Sequence, residues 1–251
     1  MVSAASNQGG REPSPTSPGK RDLPRAFVED HRRRRVLGTV AELAHEWGIG
    51  EVTATRICQL ARMARNTFYD LFPGVSGCLE YAFAEAYEQL FEPVREAREQ
   101  SGSWLDRVSG ATGAFFAAIA EEPLLAELCL VHSVGAAKEA RGHDYEAAVE
   151  EMAEVMLGGR EAGRAACGEA YRDPPAQTEQ FLARAVVSLA AIRVRQDGAA
   201  AVLPEHRDEL VMLAASAFFG TDTAWSMWRG QETVRLTQPG VEQPEPQQDS
   251  G

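Results

Sequence analysis

The chain has 251 residues, of which 44% are hydrophobic, and a formal net charge of −12. This length suffices for one large domain or two modest ones with a packed core. Such an acidic balance would ordinarily exclude nucleic acid as a partner. No apolar run reaches the ~18 residues that span a bilayer, so no membrane partner is expected. Four scattered cysteines without a CxxC pair or secretory leader predict free thiols and a cytoplasmic protein.

The charge is distributed unevenly along the chain. Residues 20–72 contain ten Lys or Arg and seven Asp or Glu, a net of +3. Residues 73–251 contain fourteen Lys or Arg and twenty-nine Asp or Glu, a net of −15, and the first nineteen residues balance. The sequence therefore predicts a small basic head on an acidic body. The acidic side chains of the body would repel DNA from every surface except the basic one.

The hydrophobic pattern is helical between two polar ends, residues 1–22 and 237–251, which we expect to be disordered tails. Helices are predicted, in chain order, over about 29–47, 53–61, 64–71, 75–100, 103–121, 123–140, 144–158, 160–171, 177–196 and 204–229. Thr53 is a good N-cap, and Ser103 with Asp106 predicts a capping box. These elements indicate an all-α fold, with three short helices in residues 23–74 and a helical bundle in residues 75–236.

The third predicted helix carries two opposite rows of side chains. Spacing of three and four residues places the polar row on one face: Arg62, Arg65, Asn66 and Tyr69. The opposite row, expected to be buried, is Ala64, Phe68 and Leu71. Arg can bond guanine bidentately, Asn can do the same with adenine, and hydroxyl groups reach phosphates. The alternative is that this polar row is simply a solvated face, and the row alone does not decide.

Two flanking segments strengthen the DNA interpretation. The second helix begins with Thr53 and Thr55, where free backbone N–H groups form an anion site suited to a phosphate. Residues 32–35 are four consecutive arginines, ending in Arg35, at the predicted start of the first helix. They could contact backbone phosphates or enter a minor groove.

A set of residues keeps the order and spacing of a known signature: Arg35-Val36-Leu37, Gly48, Thr53, Ile57, Ala61, Thr67-Phe68-Tyr69 and Leu71-Phe72. On these residues the segment from Arg35 to about Tyr81 resembles the tetracycline-repressor (TetR) family of one-component transcriptional regulators. The resemblance implies a helix-turn-helix DNA-binding domain over 23–74 and a ligand-binding and dimerisation domain over 75–236. It implies that Thr53, Thr67 and Tyr69 contact the DNA backbone. Arg65 and Asn66 would then read bases.

The segment also departs from the family signature at four places. Arg62 stands at the turn glycine, Met63-Ala64 replaces the usual Val-Ser, and Asn66 replaces the following glycine. Val75 stands where the family has a lysine that contacts phosphate. One phosphate contact would therefore be missing, whereas Arg62 and Asn66 are additional candidates for DNA contact.

The last two predicted helices carry faces of small residues: Ala183, Val187, Ala190, Ala191 and Val194 on one, and Leu213, Ala214, Ala217, Phe218 and Ala224 on the other. They predict a homodimer through an intersubunit four-helix bundle; the alternative is an ordinary intramolecular core. By resemblance an effector pocket is expected, and its candidate lining is Phe115, Phe116, Leu128, His132, Tyr145, Met152, Phe181 and Arg184. Each of these also fits a core position.

Catalytic and metal sites are not indicated. The five histidines are far apart, without zinc spacing, and no nucleophile or phosphate-loop motif occurs. We therefore expect no enzyme activity, no cofactor and no metal. The predicted function is a ligand-responsive repressor that binds a palindromic DNA operator as a dimer and is released by a small-molecule inducer. The alternative is a helical small-molecule-binding or adaptor protein that has lost specific DNA binding.

Overall fold

The computed structural model describes residues 25–100, 102–136, 138–139, 141–196, 203, 205–227 and 229, and all regular structure within them is helical. The α-helices are α1 Arg25–Trp47, α2 Ala54–Leu60, α3 Arg65–Leu71, α4 Val75–Glu99, α5 Trp104–Glu121, α6 Pro123–Leu130, α7 Tyr145–Val155, α8 Gly159–Cys167, α9 Thr178–Val194 and α10 Arg207–Phe219. Residues 221–227 are also helical. The predicted tails lie outside the described residues. No helix of the described part is long and apolar enough to cross a membrane.

In the head, α1 packs on α2 and on α4, and α2 packs on α3. Helix α1 buries one stripe, which includes Val36, Val40 and Leu43, because these side chains recur at helical spacing. Its end is followed by Gly48, whose φ of 84° suits a glycine at a helix stop. The predicted N-cap of α2 is confirmed: Thr53 Oγ1 accepts a hydrogen bond from the Arg56 amide at 3.3 Å. The buried residues of the head belong to one apolar core that continues into the body.

Helix α4 leads from the head into the body and continues through Pro93. In the body α5 packs along α4, α9 packs on α7, and α10 packs between α5 and α8. The predicted capping box at α5 is confirmed, since Ser103 and Asp106 each bond the other's backbone N–H, at 3.1 and 3.0 Å. Helix α6 contacts both α1 and α4, so it joins α4 in linking the body to the head.

Two predicted helix ends are wrong. Helix α6 stops at Leu130 instead of continuing to about residue 140, and a 3-10 turn, His132–Gly135, follows it. Ser133 bonds back to the carbonyl oxygen of Cys129 there, which fixes the tighter turn. The last helix is interrupted at Gly220, whose φ is +75°, a conformation that favours glycine.

The small faces that predicted a dimer lie largely inside the subunit. On α9, Ala183, Val187, Ala190 and Val194 are buried. Ala214 and Phe218 are buried on α10, and Ala224 is buried in the helical residues 221–227. Ala191 and Ala217 are half-buried. The burial of these residues favours the alternative that they line an intramolecular core, since α9 packs on α6 and α7. The dimer interface stays a prediction. Leu213 is the member of the predicted set that is exposed, at 51%.

Candidate nucleic-acid interface

The third helix presents a polar row to solvent and an apolar row to the core. Arg65, Asn66 and Tyr69 are exposed on α3, and Tyr69 is 54% exposed. Phe68 on the opposite side is fully buried, and Leu71 is 8% exposed. Helix α3 is therefore anchored in the core on one face and open to solvent on the other.

Two predicted members of these rows lie elsewhere. Ala64 is exposed and forms the N-cap of α3, so it is not part of the buried row; Met63, just before it, is buried instead. Arg62 is exposed, but it lies in the turn before α3 and not on the helix itself. The i, i+3 spacing was applied as if residues 62–64 were helical, but they precede α3 and are not helical. This explains both errors.

The turn holds Arg62 in a left-handed conformation. Among the described residues, Arg62 is the only non-glycine residue with positive φ, at 48°. Its amide bonds the carbonyl oxygen of Gln59 at 3.3 Å, which keeps the turn tight. The left-handed region costs a residue with a Cβ roughly 1–2 kcal/mol, so a turn of this shape favours glycine. The sequence already indicated this conformation, because the family signature has a turn glycine at the position of Arg62.

An aromatic row supports α3 from behind. The Phe68 ring contacts the rings of Tyr69 and Phe72, with centroids 5.3 and 5.6 Å apart, and Phe72 contacts Tyr81 of α4 at 5.5 Å. The guanidinium of Arg33 lies over Phe72 and Tyr81, 5.5 and 5.8 Å from their centroids. Arg33 therefore packs within the head, a role that the consecutive arginines did not reveal.

The remaining predicted DNA contacts surround α3. Thr53 and Thr55 are exposed at the start of α2, and Thr67 is half-buried on α3. The Thr53 oxygen accepts the capping bond, which leaves its hydroxyl proton free to donate. Arg35 is exposed within α1, ten residues after the helix begins, so the arginines lie in the middle of α1 and not at its start.

Arg56 fixes the connection between α1 and α2, which the sequence did not indicate. Its Nη1 donates to the carbonyl oxygen of Glu51 at 3.0 Å and to the Glu51 carboxylate at 2.9 Å. The guanidinium lies 5.3 Å from the centre of the exposed Trp47 ring. These contacts hold the loop that precedes Thr53 and thus the start of α2.

Val75 is the first residue of α4, next to the end of α3. It is half-buried and packs against the head's apolar core. Gly74, with φ of 108°, turns the chain into the helix. The valine therefore contributes packing at a position where a lysine would offer a cation.

No protein-family model matches the chain, and no curated protein matches it significantly in sequence. Solved structures match it over most of its length. A regulatory protein of the tetR family from Rhodococcus RHA1 is 15% identical, with a TM-score of 0.59 over 74% of this chain and 96% of that one. The regulator FadR from Bacillus subtilis, in complex with stearoyl-CoA, is 14% identical, with a TM-score of 0.56 over 73% and 98%. The ketosteroid regulator KstR2 of Mycobacterium tuberculosis is 18% identical, with a TM-score of 0.54 over 72% and 93%.

The chain has the fold of TetR-family transcriptional regulators. The predicted all-α class, with a three-helix head and a helical body, is confirmed by this likeness. The TetR fold extends the resemblance beyond the fifty residues of the signature, because the matched structures cover the body as well as the head.

The body of this TetR fold places the predicted pocket residues in two environments. Phe115, Phe116, Leu128 and Met152 are fully buried among α5, α6 and α7. Tyr145 and His132 are half-buried, and the Tyr145 hydroxyl lies 2.7 Å from Ser188 Oγ. These six residues border the interior of the body.

Phe181 and Arg184 do not join that interior. Phe181 is 61% exposed on α9, and Arg184 is exposed and forms an ion pair with Glu146 at 2.6 Å. Hydrogen bonding to Glu146 raises the pKa of Arg184, and the reciprocal bond lowers the pKa of Glu146. The family resemblance led us to expect both in the pocket lining, but α9 turns this face outward.

Three open depressions of about 440, 530 and 620 Å³ on the described surface are lined by residues other than the predicted pocket residues. Within the described residues, no group of three or more His, Cys, Asp or Glu side chains is arranged to hold a metal ion. The described residues thus form an exposed polar row on the head and an apolar interior in the body.

Proposed function

We propose that this chain is a ligand-responsive DNA-binding transcriptional regulator. It would act as a repressor that binds a palindromic operator as a homodimer and leaves it when a small molecule occupies the body. One observation carries the proposal: Arg65, Asn66 and Tyr69 are exposed on a helix that the buried Phe68 anchors. This helix lies in the basic part of an otherwise acidic chain, in a fold shared with regulators.

The proposed DNA contacts follow from side-chain chemistry. Arg65 would bond guanine and Asn66 would bond adenine in the major groove, since both offer paired hydrogen-bonding atoms. The hydroxyls of Tyr69 and Thr67, with Thr53 and Thr55, would bond phosphates and set the register of α3. Arg62 and Arg35 would add electrostatic contacts with the backbone.

Dimerisation is proposed because one short helix neutralises too few phosphates for tight specific binding. Three large apolar side chains of the last helices are exposed: Ile192 on α9 at 54%, Leu213 on α10 at 51% and Trp225 at 49%. Burying them against a second copy would remove this apolar surface from water. A twofold dimer reads a palindrome when its two α3 helices lie about 34–36 Å apart.

The effector is proposed to be a small apolar or amphipathic molecule. The interior around Phe115, Leu128 and Met152 is apolar, with His132 and Tyr145 at its edge as polar contacts. FadR from Bacillus subtilis was solved with stearoyl-CoA, and KstR2 is named a ketosteroid regulator, which supports this class. Phe116 belongs to the same interior, whereas Phe181 and Arg184 would need a rearrangement of α9 to reach it.

The effector would release DNA by favouring a dimer in which the two α3 helices no longer match successive major grooves. The protein would act in the cytoplasm by binding alone, without catalysis and without a cofactor. The structural neighbours are regulators, which supports this class over an enzyme.

The test is a gel-shift titration with the DNA upstream of the protein's own coding sequence, at two salt concentrations. A shuffled DNA of the same composition is the control. The proposal predicts preferential binding to the upstream DNA and a steep loss of affinity with salt, since several phosphates are neutralised. Equal binding to both DNAs at both salt concentrations would contradict it.

A second candidate function is a helical small-molecule-binding or adaptor protein without specific DNA binding. Val75 in place of the phosphate-binding lysine and the acidic body favour it. Two results together would select this alternative: the protein shifts neither DNA at low salt, and it binds an apolar ligand.

A further inference from the structure

The carboxylate of Glu127 lies between two imidazoles from different parts of the molecule. His45 Nδ1, on the last turn of α1, is 2.7 Å from Glu127 Oε2, and His132 Nε2, just after α6, is 3.4 Å from Oε1. A carboxylate only accepts, so His45 is the donor. The first contact joins head to body, whereas the second stays within the body. The Glu127 carboxylate is therefore shared between a residue of the head and a residue of the body.

The cluster is partly shielded from water. The side chains of Glu127 and His132 are 12% and 17% exposed, and that of His45 is 44% exposed. His132 Nε2 is buried, and its nearest carboxylate oxygen among the described residues is Glu127 Oε1, at 3.4 Å. The charged groups that act on His132 are Glu127 from α6, His45 from α1 and Arg195 from the end of α9.

We propose that His45, Glu127 and His132 form a proton-sensitive latch between α1 of the head and α6 of the body. With His132 neutral, Glu127 holds His45 and the latch is closed. When Nε2 of His132 takes up a proton, it becomes a cationic donor 3.4 Å from Oε1 and draws the carboxylate toward itself. The carboxylate is then shared with a second, cationic donor, so the contact with His45 weakens and the end of α1 is released.

The surroundings of His132 set the direction of this response. Burial lowers the pKa of His132 below its ordinary value of 6.5; Glu127 opposes that change, whereas His45 and Arg195 add to it. The unfolded chain therefore binds this proton more readily than the folded chain. The folded state loses stability as pH falls from about 6.5 through the lowered pKa, and it is unaffected by His132 above that range.

The first test is an NMR titration of the His132 ring in the full chain. Glu127→Gln should lower the His132 pKa further, because the favourable carboxylate is lost, and His45→Gln should raise it, because a repelling neighbour is lost. His31→Gln, an exposed histidine on α1, is the matched control and should change nothing. An identical His132 titration in all four proteins would overturn the latch.

The second test is native-state hydrogen exchange of the amides of residues 44–47, compared as protection factors at pH 7.5 and 5.5. Wild type should lose roughly tenfold in protection at the lower pH, as expected for a weakened charged hydrogen bond. His132→Gln should keep its protection at both values. A wild-type protection that does not change with pH, or an equal loss in His132→Gln, would contradict the proposal. Wild-type exchange needs no variant to fold.

The latch is a property of the α1–α6 contact and needs no DNA for either test. An effect of acid on operator binding would rest on the proposed function, with release of α1 lowering affinity for DNA. If both latch tests succeed and no DNA is bound, the proposed function fails while the latch stands.

Discussion

The exposed ring of Tyr69 stands edge-on to the fully buried ring of Phe68, with centroids 5.3 Å apart and an interplanar angle of 80°. The two residues are neighbours in sequence on α3, about 100° apart around the helix axis. The buried ring fixes the rotation of the helix, and the edge contact limits where the Tyr69 hydroxyl can point. Positioning of the polar row thus depends on the packing behind it.

Phe68→Ala should unfold the head, whereas Tyr69→Phe should leave stability unchanged. Loss of a fully buried Phe costs about 3–5 kcal/mol, while removal of an exposed hydroxyl changes stability by less than about 0.5 kcal/mol. Urea denaturation followed by circular dichroism measures both. Tyr69→Phe should still weaken DNA binding through the lost phosphate contact. A stable Phe68→Ala protein would refute the anchoring role.

Arg62→Gly should stabilise the protein relative to Arg62→Ala. Both variants remove the same cation, but only glycine adopts the φ of +48° without steric cost, so their unfolding free energies should differ by about 1 kcal/mol. Both should weaken DNA binding equally if the guanidinium contacts phosphate. Equal stability of the two variants would show that the turn imposes no strain. Unequal DNA affinity would show that the turn conformation matters for binding.

Val75→Lys should strengthen DNA binding by adding one phosphate contact at the start of α4. The dependence of log affinity on log salt should steepen by about 0.9. Ser76→Lys, the next position and exposed, is the control with the same charge change. If both variants steepen the salt dependence equally, the added positive charge itself causes the effect, and no contact specific to position 75 is formed.

Leu213→Glu should convert the dimer to monomers at micromolar concentration, because it places a charge on the exposed apolar face of α10. Val134→Glu, at a 68% exposed position in the turn after α6, should leave the dimer intact. Sedimentation equilibrium distinguishes the two. A monomeric wild-type protein would contradict dimerisation itself, and a dimeric Leu213→Glu protein would exclude this face.

The sequence predicted the fold because local patterns, namely helix caps and apolar spacing, agree with the packing of the folded chain. Thr53 caps α2 and Ser103 caps α5 as predicted, since capping depends on residues within one turn. The apolar period located nearly every helix. The end of α6 was missed because Ser133 bonding to Cys129 stops the helix, and apolar residues such as Val134 continue the pattern beyond it.

The sites were less predictable, because long-range packing decides which face of a helix is buried. The small face of α9 was read as an interface but packs on α6 and α7. Phe181 was read as pocket lining and is exposed. Arg33 packs on Phe72 and Tyr81, a contact between residues far apart in the chain that no local pattern contains.

The measurement that bears most directly on DNA reading by α3 is a fluorescence-anisotropy titration of Arg65→Ala against Arg141→Ala. Both variants remove one exposed arginine, the first from α3 and the second from the acidic body. We predict that Arg65→Ala loses about 1–3 kcal/mol of binding to the upstream DNA and much of its preference over shuffled DNA. Arg141→Ala should bind like wild type. Equal affinity and equal preference in the two variants would contradict the assignment of α3 as the reading helix.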